Sequence, residues 1–170
     1  MKNIILKGLE LKTFTKQDAL DYCSINNINP LEVNLLKFVN NELTDISGIK
    51  LFKNLKKLQL YNNMLKDISV VSNLINLEYL DINQNMVKNL NNIKNLNKLK
   101  ILCIGFNPLD DISVIQYLNN LETLDIRGLK LESNQIEYIN SLKNLNLWYK
   151  NGFKDMNILK QVNKNIRLCF

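Results

Sequence analysis

The feature that most constrains this chain is a period of 22 residues. Leu36, Leu58, Leu80, Leu102 and Leu124 fall in one column, and Phe38, Leu60, Ile82, Ile104 and Ile126 lie two residues on. Asn41, Asn63, Asn85 and Asn107 follow in a third column, which Leu129 breaks, and Leu43, Leu65, Val87, Leu109 and Leu131 make a fourth. An acidic or amide column comes next, at Asp45, Asp67, Asn89 and Asp111. After it come apolar triplets at spacing three, such as Ile68, Val71 and Leu74. Leu55, Leu77, Leu99 and Leu121 close the units. One unit cannot bury its own apolar edge, so a repeat of this length folds only by stacking on its neighbours.

Each part of the unit has a local meaning. Leu58 and Leu60 point one way while Gln59 and Tyr61 point the other, which is a short strand with one buried face. The spacing-three triplet suits a turn of 3-10 or α-helix with one buried stripe. Asp or Ser just before that turn is a good N-cap. The Asn column sits where each chain turns away from the sheet. A carboxamide both donates and accepts there, so the column reads as a structural ladder for loop backbone. This accounts for part of the 30 Asn that stand beside 31 Leu in the chain.

The motif Leu55-x-x-Leu58-x-Leu60-x-x-Asn63-x-Leu65, repeated from Leu77 to Val87, resembles the leucine-rich repeat. With the Asp-Ile-Ser segments that begin at Asp45, Asp67 and Asp111, it is similar to the 22-residue class found in internalins and phosphatase regulators. The resemblance implies an α/β solenoid: an arc with a parallel concave β-sheet, short convex 3-10 or α helices and an N-terminal helical cap. It assigns residues 1–32 to the cap and 33–170 to about six repeats ending in a partial seventh. Near the end the motif drifts. Leu142, Leu145 and Leu147 restart it, and Asn151 is expected to recover the Asn column.

Residues 1–32 do not fit the repeat. Thr15-Lys16-Gln17-Asp18 is a capping-box pattern, and Ala19, Leu20, Tyr22, Cys23 and Ile25 are expected to line a helix face ending near Asn26, before Pro30. The run from Met1 to Gly8 is too short for a signal peptide, and no stretch approaches the ~18 apolar residues of a membrane span. Cys23, Cys103 and Cys169 are far apart in sequence and form no CxxC, so reduced thiols in a cytoplasmic protein are expected, with no metal site and no cofactor. The chain has no histidine, which excludes histidine bases, Ser-His or Cys-His nucleophile pairs and histidine metal sites.

Binding is expected on the concave face. Its outward positions carry Tyr61, Tyr79, Asp81, Asn83, Ile101, Phe106, Asp125, Arg127, Trp148 and Tyr149, including the only Trp and one of two Arg. Trp, Tyr and Arg are the types enriched at interface hot spots, and contiguous exposed apolar patches mark interfaces. Trp148 is placed in the Arg127 column and Tyr149 one column further. Asp81 and Asp125 lie two strands apart, roughly 10 Å, which overlaps the carboxyl spacing of inverting glycosidases. No pocket accompanies them, and no catalytic residue is assigned. The expected function is a non-catalytic module that binds another protein as adaptor, regulatory subunit or inhibitor. Nucleic acid is the alternative partner, raised by a net charge of +6. It is disfavoured because the lysines fall mostly on convex and loop columns. A homodimer through the C-terminal edge strand, residues 166–170, is a further expectation, since that segment has one Arg as its only charge.

Overall fold

The computed structural model describes residues 2–7 and 11–170. Eight strands form one parallel sheet in chain order: β1 Lys2–Lys7, β2 Val33–Val39, β3 Lys57–Gln59, β4 Tyr79–Asp81, β5 Ile101–Cys103, β6 Thr123–Asp125, β7 Asn146–Trp148 and β8 Arg167–Cys169. On the other side run short 3-10 helices, among them Ser47–Leu51, Ser69–Asn73, Asn91–Ile93 and Ser113–Tyr117. The result is the expected leucine-rich-repeat arc. Among the described residues two helices are α: α1 Lys16–Ile25 and α2 Ile136–Asn140.

The core is the stack of inward leucines. Leu36, Leu58, Leu80, Leu102, Leu124 and Leu147 have no exposed surface, and neither do Phe38, Leu60, Ile82, Ile104 and Ile126. The N-caps of the convex turns are Ile46, Ile68 and Ile112, and the acidic column stands one residue earlier: Asp45, Asp67 and Asp111 each accept a hydrogen bond of 2.7 Å from the N–H two residues on. Asn89 does the same for Asn91.

The asparagine ladder holds the loops at the strand ends. The Asn85 amide donates to the carbonyls of Leu60, Ile82 and Asn83 at 2.9, 3.0 and 3.2 Å, and its oxygen accepts from Leu65 N–H at 3.0 Å. Asn63 and Asn107 repeat this pattern one unit either side. Each amide therefore ties its own unit to the one before it.

Three local expectations are corrected. First, β1 heads the sheet as a parallel neighbour of β2. The stretch before the helix is thus part of the same sheet as the repeats. Second, α1 has the full capping box at Thr15 and Asp18, but it buries only Ala19 and Cys23. Leu20 is 41% exposed and Ile25 82%. Third, the register of the last repeats differs. Leu124 pairs with Leu147 and Asp125 with Trp148. The spacing Leu142, Leu145, Leu147 fits the motif with Leu145 beside Leu124, which is not the register adopted. Leu142 closes its turn on Ile139 as Leu121 does on Leu118, and the additional residues fall between Leu142 and Asn146, the partner of Thr123. Asn151 consequently lies in the turn column with positive φ, at 55°, and Gly152 stands at the ladder position.

Candidate functional site

The concave face is built of three rows. One row reads Lys57, Tyr79, Ile101, Thr123, Asn146, and the next reads Lys37, Gln59, Asp81, Cys103, Asp125, Trp148. The third follows from the hydrogen bonds beyond the strand ends and reads Tyr61, Asn83, Gly105, Arg127, Lys150. The structure thus brings Tyr79, Asp81, Asn83, Ile101, Asp125, Arg127 and Trp148 together over β4 to β7. Tyr61 borders them beside Asn83. Tyr149 does not belong: its backbone position matches the inward Ile126, and it packs against the core with its ring 6.0 Å from Phe170. The motif spacing points it outward by aligning Leu145 with Leu124, whereas Leu147 is the residue that pairs there.

At the centre is a polar network. Arg127 grips Asp125 with two parallel bonds, Nε to Oδ1 at 2.9 Å and NH2 to Oδ2 at 2.7 Å. Such a fork is the strong form of ion pair. The Asn83 Nδ2 also donates to Asp125 Oδ2, at 2.8 Å. These two residues are on third and fifth repeat strands, so the bond passes over β5. It can do so because Gly105 stands between them: a Cβ there would lie 2.7 Å from the Arg127 carbonyl oxygen and 3.2 Å from Asp125 Oδ1. The Arg127 guanidinium lies 5.5 Å from the Trp148 ring centroid, within cation–π reach.

Asp81 is the other carboxylate. It accepts one bond, from Asn83 N–H at 3.0 Å, and makes no ion pair among the described residues. Burial raises its pKa, with Asp125 adding, while the Asn83 N–H, Arg127 and Lys37 oppose the rise. Between the two carboxylates lies Cys103. Burial, then the fields of Asp81 and Asp125, push its thiol up to about 12. It is therefore a neutral thiol at physiological pH and a poor nucleophile. The Tyr79 phenol is pushed to about 12 as well, first by burial and then by Cys103 and Asp81. Cys103 and Gly105 are the members of this centre that residue type alone did not single out. Their only sequence signal was their phase in the outward columns.

Phe106 sits at the loop edge of this face. It is half exposed and holds φ at 55°, a left-handed conformation that is unusual for a bulky side chain. The same turn position holds Asn40, Asn62, Gln84, Gly128 and Asn151 in other units. Gly128 leaves room for the Phe106 ring, since a Cβ there would lie 2.6 Å from it.

Elsewhere, Lys50, Lys53, Lys66, Lys88, Lys94 and Lys98 are exposed on the loops and convex turns. No helix among the described residues is long and apolar enough to cross a membrane, and no group of three metal-ligating side chains is found among them.

A scan against protein-family models finds no match, and neither does a search of the curated proteins. Solved structures do match. An internalin from Listeria monocytogenes is 29% identical, with a TM-score of 0.70 over 82% of this chain and 42% of its own. A leucine-rich-repeat protein of Leptospira interrogans is 22% identical, with a TM-score of 0.71 over the whole of this chain and 49% of its own. A plant peptide hormone receptor in complex with its hormone is 23% identical, with a TM-score of 0.60 over 87% of this chain and 28% of its own. The chain spans less than half the length of each.

Proposed function

With the chain a leucine-rich-repeat solenoid, we propose that it is a non-catalytic module that binds another protein through its concave sheet, as adaptor, regulatory subunit or inhibitor. The observation that carries this reading is the company on that face. Tyr79, Ile101 and Trp148 surround an ordered Asp125–Arg127 pair, on three adjoining rows with no convex element above them. A face meant only for water has no need of a Trp in cation–π reach of an ion-paired Arg. The structural neighbours support the reading at the level of fold, and the hormone receptor among them carries a bound peptide.

Nucleic acid is disfavoured as a partner at this surface. A phosphate laid on the centre would meet Asp81 and Asp125, and of the lysines Lys50, Lys53, Lys66, Lys88, Lys94 and Lys98 lie on other faces, while Lys57 and Lys150 stand at the ends of the concave rows. A cytoplasmic setting with Cys23, Cys103 and Cys169 reduced belongs to the proposal. So do the capping role of residues 1–32 and the homodimer through β8, where Leu168 and Phe170 are 41% and 78% exposed. Light scattering in reducing buffer tests the dimer: a mass that does not rise with concentration removes it.

The main test is capture of a partner from native lysate by the wild-type chain and by the double variant Tyr79→Ala, Trp148→Ala. Loss of a captured protein in the folded double variant supports the reading. Capture that is indifferent to both changes overturns it. Salt titration against generic RNA and DNA covers the alternative, since phosphate binding weakens steeply with salt.

A further inference from the structure

Among the described residues, Asn83 carries the one buried side-chain oxygen or nitrogen without a hydrogen-bond partner. Its side chain is 6% exposed. Its Nδ2 is used on Asp125, but its Oδ1 has no hydrogen-bond partner. Buried acceptors are normally paired, and an open one is costly. The residue cannot cure this by turning its amide over, because Nδ2 would then leave the Asp125 carboxylate facing an oxygen. Arg127, with its fork on Asp125, makes no bond to this oxygen.

Two residues earlier, Asp81 has the complementary deficiency. It is a half-buried carboxylate with a single backbone donor and no ion pair among the described residues. Lys37, two strands away in the same row, affects it only through its field. The Cys103 thiol lies beside it as a small, neutral floor. The centre therefore offers an amide oxygen and a carboxylate with spare lone pairs, and its fixed cation is already committed. What is missing is a donor that carries positive charge.

We propose that the Asp81–Asn83 corner of the concave face is a recognition site for a basic side chain of the partner protein, a guanidinium or a protonated amine, which donates to the Asp81 carboxylate and, as the side chains that shield it from solvent move aside, to Asn83 Oδ1. This rests on the reading of the concave face as the docking surface and specifies the chemistry of its central contact. Tyr79 and Ile101 on the neighbouring row would flank the aliphatic stem of such a side chain. The local charge runs against that of the whole molecule, which is +6, so the site selects a basic group at one point rather than basic partners in general.

The test uses the whole chain and small probes. Two-dimensional amide NMR spectra are recorded during titration with Nα-acetyl-arginine amide and Nα-acetyl-lysine amide. Their uncharged counterparts, the citrulline and norleucine amides, are titrated in parallel, and inorganic phosphate serves as the opposite charge. The expected result is saturable shifts centred on residues 81–83 and 103–105 with one or both cations, and none with the neutral probes or phosphate. Asp81→Asn, on a half-buried side chain, should keep the fold and weaken the cation roughly tenfold, the size of one hydrogen bond to a charged group. The proposal is overturned if no probe shifts these amides at tens of millimolar, if the neutral probes or phosphate match the cations, or if Asp81→Asn binds as tightly as wild type. A silent titration would leave a trapped water as the partner of Asn83 Oδ1. The two readings fail separately. Cation shifts together with partner capture that ignores Tyr79 and Trp148 would sink the docking surface and keep this site. Capture that needs Tyr79 and Trp148 while the probes stay silent would do the reverse.

Discussion

Asn83 and Asn85 are two residues apart, equally buried at 6%, and opposite in what they do with that burial. Asn85 faces the loop side, where its amide satisfies three carbonyls and one N–H of its own and the preceding unit. Asn83 faces the concave side, where it reaches a carboxylate two strands away and leaves its oxygen open. Residue type and burial are the same, so neither separates structure from function. The count of satisfied partners does. A buried amide with every partner present holds the fold together. One with an unpaired oxygen, beside Asp81 and the Arg127–Trp148 contact, is where the proposed partner contact is placed.

The largest expected effect tests the structural half of that contrast. Asn85→Ala would leave Leu65 N–H and the carbonyls of Leu60 and Ile82 short of a partner, at ~1–3 kcal/mol for each buried group left unpaired. Set against a total stability of about 5–15 kcal/mol, this should lower the thermal midpoint by many degrees. An unchanged midpoint by calorimetry would break the ladder.

Next come the concave anchors. Tyr79→Ala and Trp148→Ala should each cost ~2 kcal/mol or more of partner affinity, measured by calorimetric titration once a partner is in hand. Both side chains stand on the outer face of the sheet, so the thermal midpoint should move little. A large fall in the midpoint would make them core residues, and the contrast between the two faces would lose its meaning.

Phe106 sharpens the comparison from the other direction. A left-handed conformation costs a non-glycine residue ~1–2 kcal/mol, and Asn tolerates it best among the others. Phe106→Asn should therefore raise the unfolding free energy from urea titration slightly, by at most ~1 kcal/mol because the ring contact over Gly128 is lost. Partner affinity should fall in the same variant. A variant that is less stable and binds normally would show that the ring serves packing.

The smallest effect concerns Asp81 and pH. Its folded-state pKa is raised, chiefly by burial, so the folded chain holds that proton more tightly than the unfolded chain does. Ionised Asp81 thus opposes folding above its raised pKa, and the opposition vanishes below the ordinary carboxylate range. Lys37 and Arg127 moderate it, and Asp125 adds to it. Asp81→Asn should raise the thermal midpoint modestly at pH 7, and the difference from wild type should close as pH falls toward 3–4. A difference that stays constant across that range would mean the carboxylate's charge is not what the site holds under tension.

Much of this was legible before any coordinates. The Leu58–Leu60 alternation gives strand phase, and the 22-residue spacing places Asp81, Cys103 and Asp125 in one row. The Asn63, Asn85 and Asn107 column announces a repeated backbone need. Tyr149 shows where such reading stops. Leu142, Leu145 and Leu147 satisfy the motif in one register, and the fold adopts another in which Leu147 and Tyr149 take the inward positions. Pairing of Leu147 with Leu124 makes the choice, and with it Trp148 joins Asp125 while Tyr149 turns inward.

The sequence by itself determined the architecture, the buried face of each repeat strand and the structural ladder, because these follow from periodicities within and between adjacent units. Only the tertiary structure decided that β1 joins the sheet, that Leu20 and Ile25 of α1 stay exposed, and that Asn83 reaches Asp125 across Gly105. The last is a contact between residues 42 apart, set by strand stacking and by the absence of one Cβ. Whether a buried polar atom finds its partner depends on such distant neighbours. A repeat pattern can therefore place Asn83 on a face, while only the packed sheet shows that its oxygen is left open.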